Sequence, residues 1–188
     1  ATVPCAFIFN ECKNLAAVRA AVCQGFNIIM PIADDDGDTP AFRAAVKDLV
    51  SYAHDNGVAV EGELGVLPCD ISGEWQENGE RTDADQAREF VAKTGVDLLA
   101  VSVGNMHMSL HDRHALDLDK VGELYEAAGV PLVLHGGTGI DDDSLNASIS
   151  RGIAKVNFGT IQKQRYLTAV REALDTDQEN PHDLLGHG

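Results

Sequence analysis

Short apolar, β-branched segments alternate with longer amphipathic segments along the chain. The short segments predict six strands, at residues 3–9, 27–32, 59–64, 97–103, 131–135 and 154–158. The amphipathic segments predict six helices, at residues 15–24, 40–56, 83–93, 119–128, 142–151 and 161–174. Thr82 and Asp141 are predicted as N-caps, since their side chains can accept a hydrogen bond from the first helical turn.

Strict alternation of strands and helices predicts an α/β protein with a parallel sheet and right-handed crossovers. The predicted strands are almost entirely apolar, as strands covered on both faces must be. A (β/α)₈ barrel and an open doubly wound sheet both fit this order. No G-x-G-x-x-G motif follows the first strand, which disfavours the dinucleotide-binding form of the open sheet.

The strand–helix units number six, whereas a closed TIM (β/α)₈ barrel has eight and usually about 250 residues. An open sheet of six strands would leave two exposed edges, which invite aggregation. We therefore expect residues 1–188 to form a single, partial TIM barrel that lacks its two N-terminal units. Residues 65–81 show little periodicity and are predicted to form a mobile active-site loop.

Composition narrows the classes of partner. The 188 residues carry a formal net charge of −16, which disfavours binding to the phosphates of nucleic acids. The longest apolar runs are strand-sized, so no membrane span is expected. Four cysteines occur without a C-x-x-C spacing, and a cytoplasmic location is the default expectation.

Ligands of parallel α/β folds bind at the carboxyl ends of the strands, and polar residues follow every predicted strand of this chain. His107 follows the fourth strand and His135 ends the fifth. Imidazole is a good ligand for zinc and related divalent ions, so these two histidines are predicted to bind a metal. The alternative for each is a buried histidine that only forms hydrogen bonds.

A glycine-rich turn follows His135, with the sequence Gly136-Gly137-Thr138-Gly139. Glycines let backbone N–H groups approach an anion, and the nearby helix start adds a favourable dipole. The next strand ends with residues 157–160, Asn-Phe-Gly-Thr. Since the last two strands of barrels often form a phosphate site, these two segments predict phosphate binding.

Four segments resemble the class II, metal-dependent ketose-bisphosphate aldolases, which include the fructose- and tagatose-bisphosphate enzymes. They are PLVLHGGTGI, GIAKVNFGT, VAVEGELG and TGVDLLAVSVGNMH, and the similarity extends over residues 3–174. The resemblance implies a TIM barrel, a lyase of carbohydrate metabolism and glycolysis, and a phosphorylated sugar as substrate. It also implies a divalent metal cofactor, zinc above all with manganese or iron as alternatives, and a homo-oligomer of two or four subunits.

The resemblance also implies roles for individual residues. His107 and His135 match two of the family's three histidine metal ligands, and Glu63 matches an acidic residue beside the metal. The loop at 65–81 matches a mobile loop that carries a catalytic acid, for which the candidates are Glu74, Glu77 and Glu80. The substrate phosphate and its neighbouring hydroxyls would be held by Gly136, Thr138, Asn157 and Thr160.

The chain departs from the family at the end of the first strand. Family members have Leu-Asp-His-Gly there, whereas this chain has Phe-Asn-Glu-Cys at residues 9–12. Asn10 occupies the position of the catalytic aspartate and cannot transfer protons as a carboxylate does. Glu11 occupies the position of the third histidine ligand and can bind a metal through oxygen, which predicts a Glu–His–His site. Gly159 replaces an acidic residue that binds substrate hydroxyls.

Three functions follow from these features. The first is a metal-dependent aldolase that cleaves a phosphorylated ketose through a metal-stabilised enediolate. The second is a metal-dependent epimerase or isomerase acting on a sugar phosphate, suggested by the changes at Asn10, Glu11 and Gly159. The third is a non-catalytic homologue that binds phosphorylated sugars.

Overall fold

The computed structural model describes residues 3–34, 37–65, 81–105 and 113–174. In these ranges strands and helices alternate six times, as predicted. The strands are β1 (Ile8–Cys12), β2 (Ile28–Pro31), β3 (Ala59–Leu64), β4 (Leu98–Val101), β5 (Leu132–Leu134) and β6 (Ile153–Val156). The helices are α1 (Leu15–Val22), α2 (Pro40–Asp55), α3 (Ala84–Thr94), α4 (Leu118–Ala128), α5 (Asp142–Ile149) and α6 (Thr160–Leu174), and a 3₁₀ turn (Gly137–Gly139) follows β5.

The six strands form one parallel sheet in which spatial order equals chain order, from β1 to β6. A doubly wound sheet reverses its strand order at one point, and this sheet does not. Consecutive parallel strands are the arrangement of a barrel wall. The described residues therefore form an α/β half-barrel, with β1 and β6 at its two edges.

The first strand lies later in the chain than its apolar pattern predicts. Residues 3–9 were predicted, but β1 begins at Ile8, which pairs with Ile28 of β2. Val3 and Phe7 are 66% and 70% exposed. An apolar run indicates burial, whereas strand limits depend on where the neighbouring strand supplies hydrogen-bond partners. The same cause shortens β4 and β5, which end at Val101 and Leu134.

The two faces of β3 have different neighbours. Gly62 faces α3, since a Cβ at this position would lie 2.6 Å from Cε1 of Phe90. Successive side chains of a strand alternate between faces. Glu61 and Glu63 therefore point to the opposite face, which is the inside of the barrel wall. This alternation places two carboxylates inside an otherwise apolar sheet.

Helices α1 to α5 pack on the outer face of the sheet, and the core between them and the strands is apolar, whereas α6 has no buried residue. The largest fully buried side chains of this core include Phe90, Ile29, Leu99, Leu124 and Leu132. Within the described ranges, no helix combines the length and the apolar character that crossing a bilayer requires.

The predicted N-cap at Asp141 is confirmed, because its side chain accepts a hydrogen bond from the Ser144 N–H. The prediction for Thr82 is wrong, since Asp83 caps α3. The buried Thr82 hydroxyl instead donates to the Leu64 carbonyl at 2.8 Å and accepts from the Ser102 N–H at 2.8 Å. Thr82 thereby joins the carboxyl ends of β3 and β4.

We expect Thr82→Val to lower the free energy of unfolding by about 1–3 kcal/mol, because it leaves a buried N–H without its acceptor. Thr82→Ser keeps the hydroxyl and should retain most of the stability. Urea denaturation of both variants measures the difference. Equal stability of the valine variant and the parent would show that the hydroxyl bridge contributes nothing.

Candidate active site

Four strands bring ionisable side chains together inside the barrel wall. Glu11 lies near the end of β1, and Glu61 and Glu63 lie on β3. His135 directly follows β5, and Lys155 lies on β6. We call these five residues the histidine cluster. Since the strands are parallel, the cluster sits near their common carboxyl ends, where the sequence predicts the site.

The imidazole of His135 is 2% exposed and lies among three carboxylates. Its Nε2 is 3.2 Å from Oε1 of Glu61. Its Nδ1 is 3.4 Å from Oε1 of Glu11 and 3.7 Å from Oε1 of Glu63. The two ring nitrogens therefore face different carboxylates: Nε2 faces Glu61, and Nδ1 faces Glu11 and Glu63.

Glu61 is fully buried, and its second carboxylate oxygen accepts a hydrogen bond from Lys155 Nζ at 2.6 Å. A buried carboxylate is strongly destabilising unless it is paired and hydrogen-bonded. Here both oxygens have donors, one from an imidazole and one from an ammonium group. Glu61 thus joins β3 to His135 after β5 and to β6.

The carboxylates of Glu11 and Glu63 make the surroundings of Nδ1 of His135 a place where a cation is favoured. A carboxylate only accepts hydrogen bonds, so Glu61 assigns the ring proton to Nε2. The lone pair of a neutral ring would then face the oxygens of Glu11 and Glu63, which repel it. An added proton or a bound cation between the three groups removes that repulsion.

The donor types at Nδ1 suit a divalent metal, because imidazole nitrogen and carboxylate oxygen both bind zinc, manganese and iron. Among the residues that the structure describes, however, no three histidine, cysteine or acidic side chains are arranged so that they hold an ion. His107, the other predicted ligand, lies outside the described residues. A metal site centred on His135 would thus need a ligand from outside those ranges.

Burial raises the pKa of the Glu63 carboxyl above its ordinary value. The charge of His135 lowers this pKa, whereas Glu11 and Glu61 raise it. A carboxyl group with a raised pKa holds its proton closer to neutral pH, which suits a group that exchanges protons with a ligand.

Glu11 is held in an unusual backbone conformation. Its φ is +49°, in the left-handed region that residues other than glycine rarely adopt. The pairing of β1 with β2 shifts register over the same stretch, between Phe9 and Cys12. Such irregularities redirect side chains and are frequent beside functional sites. This one accompanies the approach of Glu11 to His135.

Asn105 fixes the main chain of His135. The side chain of Asn105 is buried, and its Nδ2 donates to the carbonyls of His135 and Val101 at 3.0 and 3.3 Å. Its Oδ1 accepts from the Val103 N–H at 2.8 Å. Asn105 therefore holds the end of β4 against the end of β5.

A cavity of about 510 Å³ opens beside His135, between β1 and β6. Most of the predicted ligand-binding residues line this cavity. These are Asn10, Glu11, His135, Gly136, Thr138, Asn157 and Thr160, together with Lys163 from the first turn of α6. The structure thereby brings the predicted metal ligand Glu11 and the predicted phosphate residues to one space.

Gly137 has a different position from its neighbours. Its N–H donates to the Asn157 carbonyl at 2.9 Å, and it does not line the cavity. A Cβ on Gly137 would lie 2.7 Å from Cγ1 of Val156 and 2.9 Å from Cε1 of Phe158. Gly137 thus allows the turn to pack tightly on the end of β6.

The sequence alone did not single out Glu61, Asn105, Lys155 and Lys163. For Glu61 and Lys155 a signal existed, since each is a charged residue on the inward face of an apolar strand. Two of the predicted site residues, Glu74 and His107, lie outside the described residues, as does segment 66–80 of the predicted loop. Glu63 is described, and its Oε1 lies 3.7 Å from Nδ1 of His135.

Comparison with known proteins places these features in context. The family model described as "Fructose-bisphosphate aldolase class-II" matches residues 1–188. The chain is 32% identical over 192 residues to a fructose-bisphosphate aldolase of Geobacillus stearothermophilus, covering 100% of this chain and 66% of the relative. It is 36% identical over 176 residues to the protein YdjI of Escherichia coli (strain K12), covering 93% and 63%.

The fold is also similar to a solved structure. The crystal structure of the YdjI aldolase from Escherichia coli K12 superposes with a TM-score of 0.79 at 35% identity, covering 94% of this chain and 61% of that one. The chain thus spans between 61% and 66% of the length of these relatives.

We expect Gly137→Ala to destabilise the protein by about 1–3 kcal/mol, because the added methyl group overlaps Val156 and Phe158. Gly159→Ala is the matched control, since a Cβ there meets nothing within 4 Å. Thermal unfolding of both variants measures the effect. A Gly137→Ala protein as stable as the Gly159→Ala protein would refute the tight packing of the turn.

Proposed function

Because the chain belongs to the class-II fructose-bisphosphate aldolase family, we propose that it forms the active site of a metal-dependent lyase that reversibly cleaves a phosphorylated ketose. One observation carries the proposal above others. Carboxylate oxygens of Glu11 and Glu63 lie 3.4 and 3.7 Å from Nδ1 of His135, beside a cavity that the glycine-rich turn also lines.

We propose that Glu11 and His135, together with His107, hold a divalent ion, zinc in preference to manganese or iron. When bound, such an ion supplies Lewis-acid polarisation of a substrate carbonyl. The protein's own contribution is to aim Nδ1 and the Glu11 carboxylate at one point. The strained backbone of Glu11 and the hydrogen bonds of Asn105 support this aim.

The cavity side chains suit a phosphate group. Gly136, Thr138, Asn157 and Thr160 provide small or hydrogen-bonding groups, and α6 begins at Thr160 with its dipole towards the cavity. Thr138 accepts from the Ile161 N–H at 3.1 Å, which holds the turn against this helix start. Lys163 adds a positive charge that complements a phosphate.

Proton transfer needs a group other than Asn10, whose amide cannot serve as an acid or a base at neutral pH. Among the described residues, Glu63 is the proposed donor and acceptor of protons, since it lies beside Nδ1 of His135 and its pKa is raised. Glu74 of the loop at 65–81 remains the predicted second catalytic acid.

The position of Asn10 at the cavity wall favours a second candidate function. A sugar-phosphate epimerase or isomerase uses the same metal and phosphate sites without the missing carboxylate. A non-catalytic phosphosugar-binding protein would keep only the binding sites. Products distinguish the three functions: a triose phosphate indicates cleavage, an isomeric sugar indicates epimerisation, and unchanged sugar indicates binding alone.

Further proposals concern the whole protein. The consecutive strand order and the open edges at β1 and β6 support an eight-unit TIM barrel of which these six units are part. A homo-oligomer in the cytoplasm, acting in carbohydrate metabolism and glycolysis, is proposed from the family. The net charge of −16 supports a small-molecule substrate over nucleic acid.

The aldolase proposal is tested by supplying the purified protein with zinc, manganese or iron and a ketose bisphosphate. We expect triose phosphate release that a chelator abolishes. Asn10→Asp should raise kcat by about 10²-fold or more, because it restores a carboxylate for proton transfer. Asn146→Asp on exposed α5 is the matched control. Isomeric sugar without triose phosphate would replace cleavage with epimerisation.

The phosphate site is tested with Lys163→Met. Losing a charge-assisted contact costs about 1.5–3 kcal/mol, so we expect KM for the phosphorylated substrate to rise about 10- to 100-fold. Zinc affinity should not change, since Lys163 is outside the histidine cluster. Lys93→Met, which removes an exposed lysine paired with Glu89, is the control. An unchanged KM would remove Lys163 from the phosphate site.

A further inference from the structure

Two buried or partly buried charged residues behind His135, Glu61 and Lys155, have no role in the reaction proposed above. Glu61 and Lys155 do not line the cavity, but Glu61 contacts His135, which does line it, and Lys155 contacts Glu61. We propose that Glu61, itself held by Lys155, is a positioning residue that keeps the His135 ring protonated at Nε2 and turned so that Nδ1 faces the metal. This inference rests on the proposed function only for the role of the metal.

The two oxygens of the Glu61 carboxylate have different partners, which supports the proposal. Oε2 accepts from Lys155 Nζ at 2.6 Å, and Oε1 lies 3.2 Å from Nε2 of His135. An ionised carboxylate only accepts hydrogen bonds, and the ammonium charge at Oε2 stabilises this ionised form. The imidazole must then donate from Nε2. Its remaining nitrogen, Nδ1, carries the lone pair that a metal ion requires.

Burial makes this arrangement rigid. Glu61 is 0% exposed and His135 is 2% exposed, so water cannot replace either partner. The main chain of His135 is held separately, because the backbone carbonyl of His135 accepts a hydrogen bond from the Asn105 side chain. His135 is thus held both at its ring and at its main chain, with Nδ1 directed towards Glu11 and Glu63. Hydrogen bonds of this kind behind a metal-binding histidine tune its orientation and affinity.

Lys155 has two effects on the carboxylate. It supplies the charge that stabilises a buried anion, and it occupies one oxygen so that the other remains for His135. Because Lys155 lies on β6 and Glu61 on β3, the pair also crosses the inside of the barrel wall. Removing the Lys155 side chain should therefore change the orientation of the His135 ring, although Lys155 reaches His135 only through Glu61.

The first test is Glu61→Gln, since a glutamine facing Lys155 with its oxygen presents its NH₂ group to Nε2. That group demands an acceptor and shifts the ring proton to Nδ1. We expect zinc affinity, measured by competition with a chromophoric chelator, to fall about 10- to 100-fold. Glu123→Gln is the matched control, because it removes a carboxylate from the surface pair with Lys120.

A second measurement needs no metal. Nitrogen NMR of the imidazole reports which ring nitrogen carries the proton. At a pH at which the ring is neutral, we expect His135 of the metal-free parent protein to be protonated at Nε2, and in Glu61→Gln we expect the signal of the Nδ1-protonated ring. A purely structural role of Glu61 would lower the thermal stability without changing this signal or the zinc affinity of the folded protein.

A third pair of variants decides the matter if Glu61→Gln does not fold. Lys155→Met should weaken zinc binding, and Lys155→Arg should rescue it, since a guanidinium can donate to the same oxygen. Lys120→Met is the control for the loss of a paired lysine. Zinc affinity within twofold of the parent for the folded Lys155→Met protein would overturn the proposal.

The outcomes separate this inference from the proposed function. If the parent protein binds no divalent metal but shows the Nε2-protonated ring that Glu61→Gln abolishes, the aldolase proposal fails and the positioning role of Glu61 stands. If the parent binds metal and the Glu61→Gln protein keeps both the tautomer and the affinity, the positioning role fails alone.

Discussion

A buried carboxylate shared between an imidazole and an ammonium group organises the interior of this protein. Glu61 has no contact with solvent, and its two oxygens bind His135 and Lys155. Neither cation nor anion would be stable there alone, because unpaired buried charges are strongly destabilising. The strands that carry Glu61 and Lys155 must therefore keep their positions relative to each other. The contact of Glu61 with Nε2 of His135 leaves Nδ1 on the side that faces the cavity.

The half-barrel fold brings Glu61, His135 and Lys155 together, because parallel strands in consecutive order direct alternate residues into one shared interior. The outward residues of β3 pack on α3, and its inward residues reach across to His135 and β6. The same geometry collects the ends of the strands at one rim. A polar interior and a cavity at the rim are thus two consequences of one arrangement.

The site has two parts of opposite electrostatic character. The histidine cluster concentrates negative charge and directs Nδ1 at a place where a cation is favoured. The turn after β5 and the start of α6 offer small residues, a helix dipole and Lys163 for an anion. Asn10 and Glu11 lie at the junction of these two parts.

By itself the sequence determined the alternation of six strands and six helices, and it placed Glu11, His135 and the residues predicted to bind phosphate at strand ends. It succeeded there because periodicity and strand polarity are local properties. Only the tertiary structure decided where β1 begins, that Thr82 bridges two strands, that Gly137 is a packing residue and that Glu61 and Lys155 support His135. Those features depend on partners up to 94 residues away in the chain. No local pattern specifies such partners, since they meet only when the strands assemble.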